Sequence, residues 1–127
     1  MMRYLLDSNL IIEHLNGAEQ ATAFIREHAT NGCISVITKI EVLGFPFPTP
    51  KAESAAHSLI HALVIIGLND RVVGQTIILR KARKIKVPDA IIASTSLQHQ
   101  LVLVTRNTDD FQGIEGLTCL NPFTAAK

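Results

Sequence analysis

Short runs that are apolar from end to end alternate along this chain with longer stretches whose apolar residues recur every three or four positions. The runs are "RYLLD" (3–7), "CISVI" (33–37), "VIIGL" (64–68), "LVLVT" (101–105) and "GLTCL" (116–120). Rich in Val, Ile and Leu, they predict strands, the last of them at an edge. The stretches between them predict helices. Ser8 and Asn9 are helix-capping types ahead of "LIIEHL", which Asn16-Gly17 stops. Apolar residues at 18, 21, 24, 25 and 29 predict a helix over 18–29, ended by Asn31-Gly32. Residues 38–44 read as a short helix broken by "GFPFPTP", which no helix or central strand accepts. Ala52, Ala55, Ala56, Leu59, Ile60 and Leu63 form the stripe of a helix over 51–63. Asn69-Asp70 caps a long helix running to about Lys84, and Pro88 opens another.

Strands that are apolar throughout, rather than alternating, are covered on both faces, and strands separated by helices make parallel βαβ units. The expected fold is therefore α/β: a three-layer α/β/α sandwich with a central parallel sheet. Residues 1–127 are expected to form one domain, long enough to bury a real core. In such sheets ligands bind just beyond the carboxyl ends of the strands. That rule selects where to look for chemistry.

Composition changes this picture only at the margins. A 47% hydrophobic content is globular. The 18% charged share is lean against the usual quarter or so, which points to a face covered by a partner or a second copy. A net charge of +1 excludes global steering toward nucleic acid, so any such affinity comes from a local patch. Cys33 and Cys119 lie in apolar runs and read as buried thiols of a reducing compartment. The start "MMRYLLDSN" lacks signal-peptide architecture, and no apolar run approaches the roughly 18 residues of a membrane span. A cytoplasmic protein is expected.

Acids cluster where the strand-end rule points. Asp7 closes the first strand, Glu41 lies one helical turn after "CISVI", Asp109 and Asp110 follow "LVLVT", and Asp89 starts a helix that can face the same edge. Converging carboxylates repel, and at least one protonates, unless a cation sits among them. Oxygen ligands in that number suit Mg²⁺ or Mn²⁺, whose chemistry on a phosphodiester is hydrolysis. Each acid also has a local explanation. Glu41 fits a capping box with Thr38, Asp89 complements the helix dipole beside Pro88, and Asp109 or Asp110 can cap the turn before Phe111. Asp7 resists such an account best, because Ser8 is able to cap the helix without it.

"LLDSN", "SVITKIEVLG", "KVPDAIIAST" and "LVTRNTDDF", in that order and at these spacings, resemble a PIN domain, and within that group the VapC-type toxins of bacterial toxin–antitoxin pairs. The resemblance covers nearly the whole chain. It implies a Mg²⁺- or Mn²⁺-dependent endoribonuclease of RNA, held inactive by a small VapB-like antitoxin and usually a homodimer. Carried over motif by motif, Asp7, Glu41 and Asp89 are the principal acids. Many relatives have an acid at the place of Asn107, where this chain has an amide; others use an acid just before the phenylalanine, here Asp110. Asp110 is taken as the fourth acid and Asn107 as a neutral ligand or water-holder. The reduced negative charge at that corner favours one tightly held ion.

Other features stay open in the sequence. Arg80, Lys81, Arg83, Lys84 and Lys86 form either a favourable helix C-terminus or an RNA phosphate patch leading to Asp89. His57 and His61 have a zinc-compatible spacing but no further ligand, and read as surface or interface residues. Phe45 and Phe47 either plug the core or form a dimer or antitoxin surface. The alternative to a nuclease is a non-catalytic binding or scaffold module whose acids merely cap helices. An aspartyl-phosphate hydrolase is disfavoured, since Asn9 occupies the second acid's place in D-x-D.

Overall fold

Residues 1–123 are described by the structure, a computed structural model. Among them five parallel strands form one sheet: β1 (Tyr4–Leu6), β2 (Gly32–Ser35), β3 (Val64–Ile66), β4 (Val102–Val104) and β5 (Cys119–Leu120), in the order β3-β2-β1-β4-β5. Six helices connect and cover them: α1 (Ser8–Leu15), α2 (Glu19–His28), α3 (Val36–Leu43), α4 (Pro50–Ala62), α5 (Asp70–Ala82) and α6 (Val87–His99). The architecture is the expected three-layer sandwich.

The apolar strands divide their residues between two cores, because successive side chains leave a strand on opposite faces. Leu5, Cys33 and Leu103 pack with Leu79 of α5 and Ala90, Ile92 and Ala93 of α6. Leu6, Ile34 and Val104 pack with Leu10 and Ile11 of α1, Val42 of α3 and Ala56 and Ile60 of α4. Both faces of the sheet are therefore dry. That is why its strands carry no polar alternation.

Helix boundaries follow local chemistry. Thr49 caps α4 by accepting the Ala52 N–H at 3.1 Å, with Pro50 at the helix start. Asn69 caps α5 by accepting the Val72 N–H at 2.9 Å. Gly17, at φ +90, takes the left-handed turn that stops α1.

Three expectations need correction. "CISVI" is not one strand: Ser35 accepts the Ile37 N–H at 3.1 Å and caps α3, so Val36 and Ile37 are helical. The helix expected to reach Lys84 ends at Ala82, with Arg83 extended, so Lys84 and Lys86 sit on a connector rather than a helix. Cys33 is buried as expected, but Cys119 on the edge strand is only half-buried; both are free thiols. His57 and His61 are both exposed, 6.2 Å apart between ring centres. Phe47 packs on the α1–α4 core, while Phe45 stays 46% exposed, and both line a small apolar groove beside α1 and α4.

Candidate active site

The sheet's winding reverses between β1 and β4, since the chain leaves β1 toward β2 and β3 and then crosses back to β4. Open α/β sheets bind ligands at such a point. Asp7 follows β1 and Thr105 follows β4, and the Asp7 N–H donates to the Val104 carbonyl at 2.9 Å. Asp7 is 6% exposed. Its Oδ1 accepts the Ser8 N–H at 2.8 Å; its Oδ2 accepts the Thr105 hydroxyl at 2.8 Å and the Asn9 amide at 3.2 Å. Asn9 also donates to Thr105 Oγ1 at 3.1 Å and accepts the Arg106 N–H at 3.1 Å. One amide thus ties the start of α1 to the segment after β4.

Three expectations about the local roles of the acids are overturned. Asp7, not Ser8, caps α1. Ser8 instead donates its hydroxyl to Glu41 Oε1 at 2.7 Å, across 33 residues of sequence. Glu41 is not part of a capping box with Thr38 either, because Ser35 caps α3 and Thr38 is buried within the helix with its hydroxyl unpartnered. Neither Asp109 nor Asp110 caps the turn Thr108–Phe111; Asn107 occupies the cap position, with no side-chain bond.

The electrostatics link the acids. Burial raises the Asp7 pKa above its ordinary value, and the Glu41 charge adds to this, while the Thr105 and Ser8 hydrogen bonds pull the other way. Burial likewise raises the Asp89 pKa, and the charges of Asp7 and Asp110 push it further up against the opposing pull of Lys86. Asp89 sits in the first turn of α6, with Pro88 beside it. Charge therefore couples Asp7 to Glu41, and Asp89 to Asp7 and Asp110, across four distant segments. Asn107 is exposed, and its backbone N–H donates to Thr105 Oγ1 at 3.1 Å.

Of the basic residues, Arg80, Lys84 and Lys86 line a cavity of about 430 Å³ with Ile85, Asp89 and Asp110. Lys81 and Arg83 are not part of its wall. The sequence reading missed Ser8, Asn9 and Thr105 as organisers of the site. A usable signal was present: these are polar residues directly after apolar strands, at the edge where ligands bind.

The donors present are of the type that a hard cation takes. Among the described residues the single ion pair joins Arg106 to Glu13, so Glu41 beside Asp7, and Asp7 and Asp110 beside Asp89, repel without a basic partner at ion-pair distance. They offer oxygen only, as Mg²⁺ and Mn²⁺ prefer. Among the described residues no group of three or more acidic, histidine or cysteine side chains is arranged to hold a metal ion by itself.

The chain matches the PIN domain family over residues 4–117. It is 32% identical to a chain of a toxin–antitoxin complex from Klebsiella pneumoniae, over 94% of this chain and 97% of that one, with a TM-score of 0.80. A chain of VapBC2 from Rickettsia felis, solved with a fragment of its promoter DNA, is 24% identical over 94% and 98%, with a TM-score of 0.81. A chain of DNA-bound VapBC from Salmonella typhimurium is 21% identical over 96% and 99%, with a TM-score of 0.84. The latter two likenesses carry the fold alone. No curated protein matches the chain in sequence.

Proposed function

The chain belongs to the PIN domain family, and from that premise we propose that it is a Mg²⁺- or Mn²⁺-dependent endoribonuclease that hydrolyses RNA phosphodiesters. The VapC toxins of this family are generally nucleases, and the family generally uses divalent metal ions. The observation that supports the reading is the pairwise coupling of Asp7 with Glu41 and of Asp89 with Asp7 and Asp110, with Ser8 bonded to both Asp7 and Glu41.

Those four acids would hold the ion, with Asn107 as a neutral ligand or water-holder. When bound, the ion supplies Lewis-acid polarisation of the phosphate and lowers the pKa of a water. The chain's own residues orient the ligands. Thr105 and Asn9 fix Oδ2 of Asp7, Ser8 joins the neighbourhoods of Asp7 and Glu41, and the first turn of α6 sets Asp89. A buried, hydrogen-bonded acid has little freedom to lose when the ligand arrives.

The same reading makes the chain, taken as one domain over 1–127, the toxin of a type II toxin–antitoxin system. Its partners are a small VapB-like antitoxin and a second copy of itself, and its place is the cytoplasm. The likeness to a chain of the Klebsiella pneumoniae toxin–antitoxin complex supports the toxin role and the antitoxin partner. No helix among the described residues is long and apolar enough to cross a membrane.

One observation favours the scaffold alternative: Asp7 does cap α1, and Asp89 does sit in a helical first turn. Cleavage separates the two. With labelled RNA, the nuclease reading expects fragments in Mg²⁺, none in EDTA and none from Asp89→Asn. Intact RNA under all conditions favours the scaffold, and fragments that persist with Asp89→Asn refute the metal site.

A further inference from the structure

Five cations precede Asp89, yet the fold gives them different work. Arg83 Nη1 donates to the Gln112 carbonyl at 2.8 Å and braces the turn there. Lys81 is exposed on the last turn of α5, away from the cavity wall. Arg80, Lys84 and Lys86 remain, and they share one cavity of about 430 Å³ with Asp89 and Asp110. Arg80 is set in place by donating through Nη1 to the Ile85 carbonyl at 2.5 Å, which leaves other guanidinium donors available. None of the three is in the single ion pair found among the described residues. On a chain whose net charge is only +1, this is a concentrated positive wall.

We propose that this cavity seats the RNA phosphate next to the scissile one, with Arg80, Lys84 and Lys86 holding its oxygens. The proposal rests on the nuclease reading for which phosphate is scissile. An entering phosphodiester turns its anionic oxygens toward Arg80, Lys84 and Lys86 and away from Asp89 and Asp110 in the same lining. Ile85 is the only apolar residue in the wall, and no aromatic ring offers a stacking platform for a base. The seat therefore takes backbone, not base, and sets register on the strand without reading sequence. The three cations lie three to nine positions before Asp89, so the seat and that acid are carried by the same α5–α6 segment.

The test uses the full chain with a fluorescent single-stranded RNA, in EDTA, over a salt series. Relative to the wild type, the double variant Lys84→Gln/Lys86→Gln binds about tenfold more weakly at low salt. Its plot of log affinity against log salt is shallower by at least about 0.7, the share of one neutralised phosphate. Lys81→Gln, outside the cavity, changes neither. In Mg²⁺, adding one flanking phosphate to a dinucleotide substrate raises kcat/KM for the wild type and not for the double variant. Unchanged affinity and slope in the double variant overturn the seat, even if cleavage proves metal-dependent. Wild-type RNA binding with the stated salt dependence, but no cleavage in Mg²⁺ or Mn²⁺, keeps the seat and overturns the nuclease reading.

Discussion

Asp7 and Asp110 stand at the same end of the sheet, and the fold treats them in opposite ways. Asp7 follows a central strand, is almost fully buried, and has both carboxylate oxygens engaged by Ser8, Asn9 and Thr105. Asp110 is exposed on the single turn Thr108–Phe111, where its N–H donates to the Asn107 carbonyl at 3.1 Å and no side chain caps the turn. The strand-end acid is set before any ligand arrives; the turn acid is free to adjust. Setting Asp7 has a cost: burial and the nearby Glu41 charge disfavour its ionised form. A protein keeps such a charge only where something else compensates it.

Changing the two acids is the strongest way to break this contrast. Asp7→Asn is expected to lower RNA cleavage at least about a hundredfold, or about 3 kcal/mol of transition-state stabilisation. Asp110→Asn is expected to stay within about tenfold of the wild type, because an exposed ligand is more readily replaced by water. Equal losses, measured as kcat/KM on one labelled RNA, would end the distinction between a fixed and an adjustable acid.

A middle-sized effect tests what does the fixing. Thr105→Val removes the hydroxyl that donates to Asp7 Oδ2 and should lower activity or metal affinity about tenfold, the low end for an outer-shell partner. Thr105→Ser restores the donor and should restore most of the activity. If the valine variant matches the wild type in a Mg²⁺ titration of cleavage, the clasp does not orient the acid.

The smallest effect is in pH. Asp7 has a folded pKa above its ordinary 3.8, so the folded state holds that proton more firmly than the unfolded one. Without metal, stability should then fall as pH rises from the ordinary value through the raised one, with the penalty complete above it. Asp7→Asn lacks this titration. Its advantage over the wild type in thermal melts should be small near pH 4 and largest near neutrality. An advantage that shrinks as pH rises would reverse the assigned sign.

How much of this was legible in the sequence depends on what each residue's type reveals. The strands were legible because residues such as Leu5 and Leu6 are both apolar and bury on opposite faces. The acids were legible because a carboxylate at the end of an apolar run is conspicuous. Ser35 was not, since a serine within "CISVI" looks like strand until its side chain is seen capping α3. Asn9 and Thr105 were not, because their roles depend on β1 lying beside β4 across 96 residues of sequence. The five cations looked alike in sequence. Only the end of α5 at Ala82 sorted Arg83, bonded to the Gln112 carbonyl, from Lys84 and Lys86 in the cavity.

The central proposal is that Asp7 and Asp89, each destabilised by burial and a neighbouring carboxylate, take a divalent ion together with Glu41 and Asp110, and thermal melting with and without Mg²⁺ tests it most directly. Asparagine preserves the cap on α1, so Asp7→Asn removes charge with little loss of helix stability. The account predicts that Mg²⁺ well above its Kd raises the wild-type Tm by several degrees. It also predicts that Asp7→Asn melts above the wild type without metal and barely moves when Mg²⁺ is added. A wild-type Tm indifferent to Mg²⁺ and Mn²⁺, together with an Asp7→Asn variant that melts below it throughout, would contradict the account.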